Sequence, residues 1–180
     1  MKNFLRNYGI LLFFAGLIVG FDQWTKYLVR TDLAYGQAWA PWDWMLPYAR
    51  IIHAQNTGAA FGMFQGMNPV FTVLAIIVAG VILYYFPKVP RTDWLIRLAM
   101  VMQFGGALGN LVDRVTQGYV VDFVSLGTFP VFNVSDSCIS IGVVLLVIGM
   151  WFKEKDQQPS GGASDPDKTD APVGEDLRGD

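Results

Sequence analysis

The sequence contains few of the residues that build disulfides and metal sites. Its 180 residues include one cysteine, Cys138, and one histidine, His53. This excludes an intrachain disulfide and an ordinary protein zinc site, and it leaves the redox compartment undecided. No glycine-rich phosphate loop follows a strand pattern, and no basic patch with interleaved aromatic residues indicates a nucleic-acid surface. We therefore predict no metal, no cofactor and no nucleic-acid partner.

Charge is also scarce. Only 16% of the residues are charged and 53% are hydrophobic, whereas soluble domains have about 25% charged residues. Residues 1–152 hold nine basic residues and seven acids, all aspartate, while residues 153–180 hold eight acids and four bases among glycine, serine and proline. The composition predicts a membrane domain over 1–152 and a disordered, acidic, solvated tail over 153–180.

Four apolar stretches are long enough to cross a membrane, which takes roughly 20 residues. The first resembles a secretory signal peptide, but Ile18-Val19-Gly20 lacks a small residue at the third position before a cleavage point, so we expect it to be retained. The predicted spans are 8–29, 69–86, 94–112 and 137–152.

Basic residues lie at the N-terminus, between spans two and three, and after span four. By the positive-inside rule these regions face the cytoplasm, and both termini are cytoplasmic. Segments 30–68 and 113–136 then face outwards. The aromatic residues of 34–48 are typical of an interfacial belt, 49–55 is a candidate short strand, and we expect His53 to be a surface or turn residue. Four of the seven scarce acids gather at this outer surface: Asp22, Asp113, Asp122 and Asp136.

Polar residues at the predicted helix ends have both structural and functional interpretations. Asn110 and Asp113 share one face of span three with Gly106, so this face should point into the helix bundle. Asp22 and Lys26 are an i, i+4 pair, explained equally well by an interfacial ion pair and by chemistry.

Further polar residues are candidates for the same outer site. Arg114, next to Asp113, favours a structural role in which it binds carboxylates or backbone carbonyls. Asn56 and Asn133 offer amides to a peptide or an acid, although helix capping explains Asn133 equally well.

Asp122 and Asp136 are the strongest catalytic candidates. Asp136 opens span four, where the helix dipole favours its anion, whereas Asp122 lies in "VVDFV", where desolvation favours the neutral acid. If the loop broken at Pro130 folds back, the two carboxyl groups meet and share one proton. That is the working state of an aspartic hydrolase, in which the anion activates water and the acid polarises the scissile carbonyl.

Three other functions compete with this interpretation. A proton- or ion-coupled transporter would also hold intramembrane acids, but here the acids cluster at one interface, no inverted repeat is visible, and four spans would make a small transporter. A serine hydrolase would use Ser135 or Ser137 with Lys26, but no glycine-flanked serine is present. A non-enzymatic membrane scaffold predicts that Asn at 122 and 136 leaves function intact.

Five motifs, in order and spacing, resemble the lipoprotein signal peptidase (signal peptidase II) family over about residues 4–152. They are "FDQWTK" (21–26), "NTGAAFG" (56–62), "GGALGNLVDR" (105–114), "VVDF" (120–123) and "FNVSDSCI" (132–139). One departure from the family pattern is Ser135, where the family usually has alanine.

The resemblance implies a multi-pass aspartic endopeptidase of the bacterial inner membrane. Its substrate would be a lipid-modified prolipoprotein, cut just before a diacylglyceryl-cysteine, at the extracytoplasmic face among membrane lipids. We expect it to act as a monomer. The implied fold is four transmembrane helices with a small extracytoplasmic β-cradle within 30–55 and a short interfacial helix near 59–67. The implied catalytic residues are Asp122 and Asp136, supported by Asn56, Asn110, Asp113, Arg114, Asn133, Asp22 and Lys26.

Overall fold

Four long helices carry most of the chain. The computed structural model of the protein describes residues 2–58 and 63–157. The helices are α1 (Lys2–Asp32), α2 (Asn68–Tyr85), α3 (Trp94–Gln117) and α4 (Val134–Gln157). Each is long and apolar enough to cross a membrane, which confirms the four predicted helices. Most extend past the predicted bounds, because hydropathy marks only the apolar part of a helix and the polar ends remain helical.

Local sequence explains two of the helix ends that frame the site. Pro69 lies in the first turn of α2, where its missing N–H costs no helical hydrogen bond. Gly118 ends α3 in the left-handed region, at φ 81°, and its N–H donates to the Arg114 carbonyl. A residue without a Cβ adopts this conformation at no steric cost, so the chain can turn directly into the next strand.

The strands form one antiparallel sheet in the order β1 (Ala38–Trp39), β2 (Ala49–Asn56), β3 (Val120–Leu126). The candidate strand at 49–55 is confirmed as β2. Strand β3 was not predicted, because its first four residues are all buried and the segment therefore lacks the polar–apolar alternation that identifies a half-buried strand. Residues 63–66 of the expected interfacial helix form a turn, and 59–62 lie outside the described residues.

Helix α3 is the centre of the bundle. Half of its 24 residues are buried, and it packs against α1, α2 and α4. The outer helices instead expose large apolar side chains, which is the pattern of a surface bathed in lipid. Examples are Phe13 and Leu17 of α1, Leu74 and Ile77 of α2, and Val144 and Val147 of α4.

Glycines allow α3 to approach its neighbours closely. A Cβ at Gly106 would stand 2.5 Å from the Ser135 carbonyl oxygen, and one at Gly105 would stand 2.9 Å from the Ile18 Cβ. Gly16 and Gly20 of α1 do not mark such a contact, because no heavy atom of the described residues beyond the local helix backbone lies within 4 Å of a Cβ built at either position. At the far end of the bundle, residues 153–157 of the predicted tail are the last residues of α4, and 158–180 lie outside the described residues.

Candidate active site

A turn after β3 brings the two candidate catalytic aspartates together. Asp122 lies in β3, opposite Ala54 of β2. After the turn at Gly127, the chain runs back and Phe132 pairs with Val124, donating to its carbonyl at 3.1 Å and accepting from its N–H at 2.8 Å. This pairing places the start of α4, and so Asp136, beside β3. We call Asp122 and Asp136 the Asp pair.

Asn133 bridges the Asp pair. Its side-chain nitrogen donates to Asp122 Oδ1 at 2.7 Å, and its backbone N–H donates to Asp136 Oδ2 at 3.1 Å. Its side-chain oxygen accepts from the Asp136 N–H at 2.9 Å, which is a reciprocal cap at the start of α4. The two interpretations of Asn133, helix cap and amide partner of an acid, therefore describe one residue that does both.

Two further amides bind the remaining carboxylate oxygens. Asn56 Nδ2 donates to Asp122 Oδ2 at 2.9 Å, and Asn110 Nδ2 donates to Asp136 Oδ1 at 2.8 Å. All four oxygens of the Asp pair thus accept a hydrogen bond from an amide. Amide groups orient the carboxyl groups without changing protonation themselves, so any proton exchanged at these atoms belongs to the pair.

Burial sets the protonation of Asp122. The residue is only 3% exposed, and this burial raises its pKa to about 7, with the negative charge of Asp136 acting in the same direction. The hydrogen bonds from Asn56 and Asn133 oppose the rise but do not cancel it. Asp122 can therefore hold a proton at neutral pH, as the apolar context of "VVDFV" predicts.

A buried ion cluster of Asp22, Lys26 and Asp113 lies beneath the Asp pair. Lys26 Nζ stands 2.8 Å from Asp22 Oδ2 and 3.0 Å from Asp113 Oδ2, and all three side chains are fully buried. The same Nζ donates to Asn110 Oδ1 at 3.0 Å. Because Asn110 in turn binds Asp136, the lysine charge is linked to the Asp pair through one amide.

The acids of the buried ion cluster hold the backbone on both sides of the site. Asp113 Oδ2 accepts the N–H of Val121 at 3.0 Å, and Asp22 Oδ1 accepts the N–H of Ser135 at 2.9 Å. Val121 and Ser135 immediately precede Asp122 and Asp136 in the chain. Each acid of the cluster therefore anchors the peptide unit that leads into one member of the Asp pair.

One supporting residue, Gln23, was not predicted from the sequence. Gln23 Nε2 donates to Asp113 Oδ1 at 3.0 Å, to the Gly109 carbonyl at 3.1 Å and to Asp22 Oδ2 at 3.2 Å. Its position within "FDQWTK" was the available signal, but a residue next to Asp22 points to a different part of the helix surface, so spacing alone did not place it in the cluster.

The Asp pair faces a cavity of about 690 Å³, which we call the Asp cavity. Asn56, Asn110 and Arg114 share its lining with the Asp pair. Much of the remaining wall is apolar and comes from α2, α4 and the turn after β3, including Phe71, Leu74, Val78, Phe132 and Ile139. The arrangement combines a polar, proton-holding end with an apolar wall that suits a hydrophobic ligand.

Arg114 lies beside Phe71. Among the described residues no carboxylate stands within 4 Å of its guanidinium, which lies 5.6 Å from the Phe71 ring centroid. Arg30 is the arginine beside the buried ion cluster, with NH1 3.9 Å from Asp113 Oδ1. Of the two kinds of partner predicted for Arg114, carboxylates and backbone carbonyls, the described part of the structure shows no carboxylate at this distance, and the residue lines the Asp cavity.

His53 is buried rather than at the surface. It lies in β2, is 8% exposed, and its Nδ1 is 3.0 Å from the Leu33 carbonyl oxygen. The prediction failed because "ARIIHAQ" was not resolved into inward and outward faces. Across the part of the chain that the structure describes, no cluster of three His, Cys, Asp or Glu residues is arranged to hold a metal ion.

The geometry also weighs against the serine hydrolase. Lys26 Nζ is engaged by Asp22, Asp113 and Asn110. Within residues 2–58 and 63–157, the Ser135 hydroxyl is buried without a hydrogen-bond partner, and the Ser137 hydroxyl donates to the Asn133 carbonyl at 3.0 Å. Neither serine is hydrogen-bonded to a base that could activate it.

Comparisons with known proteins agree on one family. A family model described as signal peptidase (SPase) II matches residues 14–152. A lipoprotein signal peptidase of Shouchella clausii is 36% identical over 147 residues, covering 81% of this chain and 95% of that protein. Another, of Staphylococcus aureus strain MRSA252, is 35% identical and covers 79% of this chain and 88% of its own length.

Two solved structures of bacterial membrane enzymes share this fold. A bacterial membrane enzyme determined by the in meso method at 2.3 Å resolution superposes with a TM-score of 0.75 and 32% identity, covering 83% of this chain and 92% of that one. A second, at 1.9 Å resolution, gives a TM-score of 0.70 and 34% identity, covering 79% of this chain and 92% of that one.

Proposed function

We propose that this chain, which belongs to the signal peptidase II family, is an aspartic endopeptidase of lipid-modified prolipoproteins. It would remove the signal peptide by cutting just before the diacylglyceryl-cysteine. The observation that carries the aspartic mechanism is the Asn133 bridge. One asparagine joins two buried carboxyl groups that face the same cavity, and amides bind all four of their oxygens.

In the proposed reaction the Asp pair carries one proton. The anionic carboxylate takes a proton from water while the protonated one donates a hydrogen bond to the scissile carbonyl oxygen. Water oxygen bonds to the carbonyl carbon, the C–N bond breaks, and the proton taken from water passes to the leaving amine of the cysteine. The products are the signal-peptide carboxylate and the lipidated N-terminus, and the pair again holds one proton.

The residues around the Asp pair have separable roles in this proposal. Asn56, Asn110 and Asn133 keep the carboxyl groups in the orientation needed for attack. Arg114 presents its planar guanidinium to the Asp cavity and would bind backbone carbonyl groups of the substrate. The apolar wall contributed by α2 and α4 would hold the acyl chains and the hydrophobic part of the signal peptide.

The chain is a multi-pass membrane protein, with four helices able to span the bilayer. We place both termini in the cytoplasm, since an even number of spans returns the chain to its starting side and basic residues cluster there. The Asp pair and the sheet then lie at the extracytoplasmic end, because Asp22 is near the far end of α1 from Lys2 and Arg6. We expect a monomer to be sufficient for catalysis, since residues of one chain supply the Asp pair and its amides.

The test uses purified full-length protein and a diacylglyceryl-modified prolipoprotein, with signal-peptide release measured by mass shift. Asp122→Asn and Asp136→Asn should each abolish cleavage, whereas Asp43→Asn, the same change at an exposed acid, should cleave normally. Normal cleavage by either variant of the Asp pair would refute the aspartic mechanism. Mass analysis of the products also locates the cut, and any site other than the bond before the cysteine would contradict the proposed specificity.

A second comparison tests the lipid requirement. The unlipidated precursor should be cleaved far more slowly, because the acyl chains anchor the substrate in the bilayer and position the cysteine at the Asp pair. Equal turnover of the two precursors by the wild-type enzyme would contradict this part of the proposal.

A further inference from the structure

A second cavity lies at the opposite end of the bundle from the Asp pair. It has a volume of about 530 Å³ and lies between α1, α3 and the 3₁₀ turn Phe86–Lys88. Arg97, on its wall, precedes Asn110 by 13 positions on α3, which corresponds to about 20 Å along the helix. The cavity is therefore separate from the Asp cavity.

The charge of this cavity is all of one sign. Arg6, Arg91 and Arg97 line it, and its lining contains no acidic residue. We call it the arginine groove. Asp93, an acid close to it in sequence, is already paired, with Oδ2 2.6 Å from Lys153 Nζ.

Two of the arginines are held close together by a neutral group. Arg91 NH2 donates to Asn7 Oδ1 at 3.1 Å, and Arg97 NH2 donates to the same oxygen at 3.4 Å. Arg97 is 8% exposed and also donates to the Val89 carbonyl at 2.9 Å. Among the described residues, no carboxylate lies within 4 Å of either guanidinium. Two like charges gathered at one amide oxygen, with no counter-ion, form a site that an anion would stabilise.

The rest of the groove is apolar and extends along the helices. Ile10, Phe14 and Leu17 form an i, i+4, i+7 stripe on α1, and Leu98 and Val101 line the wall from α3. From Arg6 to Leu17 the groove follows α1 for 11 residues, or about 16 Å, close to the thickness of one leaflet of a hydrocarbon core of about 30 Å.

We propose that the arginine groove binds an anionic phospholipid, with its phosphate at Arg6, Arg91 and Arg97 and an acyl chain along the α1 stripe. Basic pockets between membrane helices are a recognised form of anionic headgroup site. The acidic tail of this chain, 158–180, has the charge to compete for the arginines. Its composition of Gly, Ser, Pro and Asp does not match the apolar part of the groove, which favours the lipid.

Native mass spectrometry of the full-length protein released from detergent tests the proposal. Phosphatidylglycerol and phosphatidylcholine with identical acyl chains are added at equal concentration. The wild-type chain should retain phosphatidylglycerol preferentially. Arg6→Gln with Arg91→Gln should lower that retention about twenty-five-fold, since each basic residue near an anionic headgroup contributes about fivefold in affinity. Both arginines are exposed, so the double variant should fold.

The matched control is Lys88→Gln with Lys155→Gln. These lysines are exposed, lie at the same end of the bundle and line no part of the groove, so phosphatidylglycerol retention should stay at the wild-type level. Equal loss in both double variants would overturn the proposal, because general surface charge would then explain binding. So would equal retention of the two lipids by the wild-type chain.

Two further arms separate other occupants of the groove. Inorganic phosphate at millimolar concentration should not displace the lipid, and full displacement would show that a phosphate ion alone suffices. If the tail occupies the groove, the wild-type chain would bind no phosphatidylglycerol until the tail acids are replaced by their amides. Either result would refute the lipid assignment.

Discussion

Replacing Asp122 by Asn should change how the stability of the protein depends on pH. Asp122 has a pKa of about 7 in the folded protein, against 3.8 when hydrated. Between these values the folded state holds a proton that the unfolded state has lost, so wild-type stability falls as pH rises through this window. Integrating the difference, Asp122 alone removes about 2–3 kcal/mol of unfolding free energy between about pH 5 and pH 8.

The Asn variant cannot ionise at this position and should lack that loss. Unfolding free energies measured in mixed micelles with increasing dodecyl sulfate would give both curves. The difference between variant and wild type should shift by about 2–3 kcal/mol in favour of the variant from about pH 5 to pH 8. At about pH 5 the variant should be less stable than the wild type by about 1–3 kcal/mol of unfolding free energy, because the amide N–H₂ of the introduced asparagine would face the amide donor of Asn56 or Asn133.

Asp43→Asn is the matched control, since Asp43 is exposed and its carboxylate is hydrated in both states. Its difference from wild type should stay constant over the same pH range. Parallel curves for wild type and the Asp122 variant would refute the claim that Asp122 is held in a desolvated site. The same pH shift in the Asp43 variant would show that the effect is not local.

Three other perturbations test the site. The kcat/KM of cleavage should fall about tenfold per pH unit above about pH 7, because the Asp pair then loses the proton that polarises the carbonyl; a flat profile to pH 9 would contradict this. Lys26→Met should lower the free energy of unfolding by about 3–5 kcal/mol, since it leaves Asp22 and Asp113 buried without their cation, and unfolding at the wild-type midpoint would refute it. Gly109→Ala should lower the free energy of unfolding by about 1–3 kcal/mol, because its Cβ would overlap the Ser135 hydroxyl and approach Asp22 Oδ2 at 2.8 Å. Ser135→Ala in the same chain should restore part of that free energy, and strictly additive effects of the two substitutions would exclude the overlap.

The structure explains why a charged cluster is buried beside the proposed catalytic groups. Each acid of the buried ion cluster contacts Lys26 and also accepts one backbone N–H. Asp22 uses separate oxygens for Lys26 and the Ser135 N–H, whereas Asp113 Oδ2 serves both Lys26 and the Val121 N–H. A buried ion pair contributes little net stability compared with apolar packing. We infer that its value lies in orientation, because it connects α1 and α3 to the two chain segments that carry the Asp pair.

Much of the fold and many of the site residues were predictable from the sequence. The four helices follow from apolar length, and the i, i+4 spacing of Asp22 and Lys26 and the shared face of Asn110 and Asp113 follow from the helical repeat. These features depend on neighbours within one helix. Local geometry determines them, and within α1 Lys26 Nζ stands 2.8 Å from Asp22 Oδ2.

Other features depended on contacts between distant segments. The scarcity of acids and the charge distribution indicated that Asp122 and Asp136 lie near one membrane surface, where burial of a carboxylate is unfavourable, but only the pairing of Phe132 with Val124 brings them side by side. Strand β3, the burial of His53 and the part played by Gln23 were likewise decided by the packing of β2 and β3 against α1 and α3. The sequence by itself determined which polar and charged residues are unusual in a membrane protein and are therefore candidates for the site. Tertiary structure alone decided which of them meet, because a hydrogen bond requires two groups within about 3 Å and sequence separation does not encode that distance.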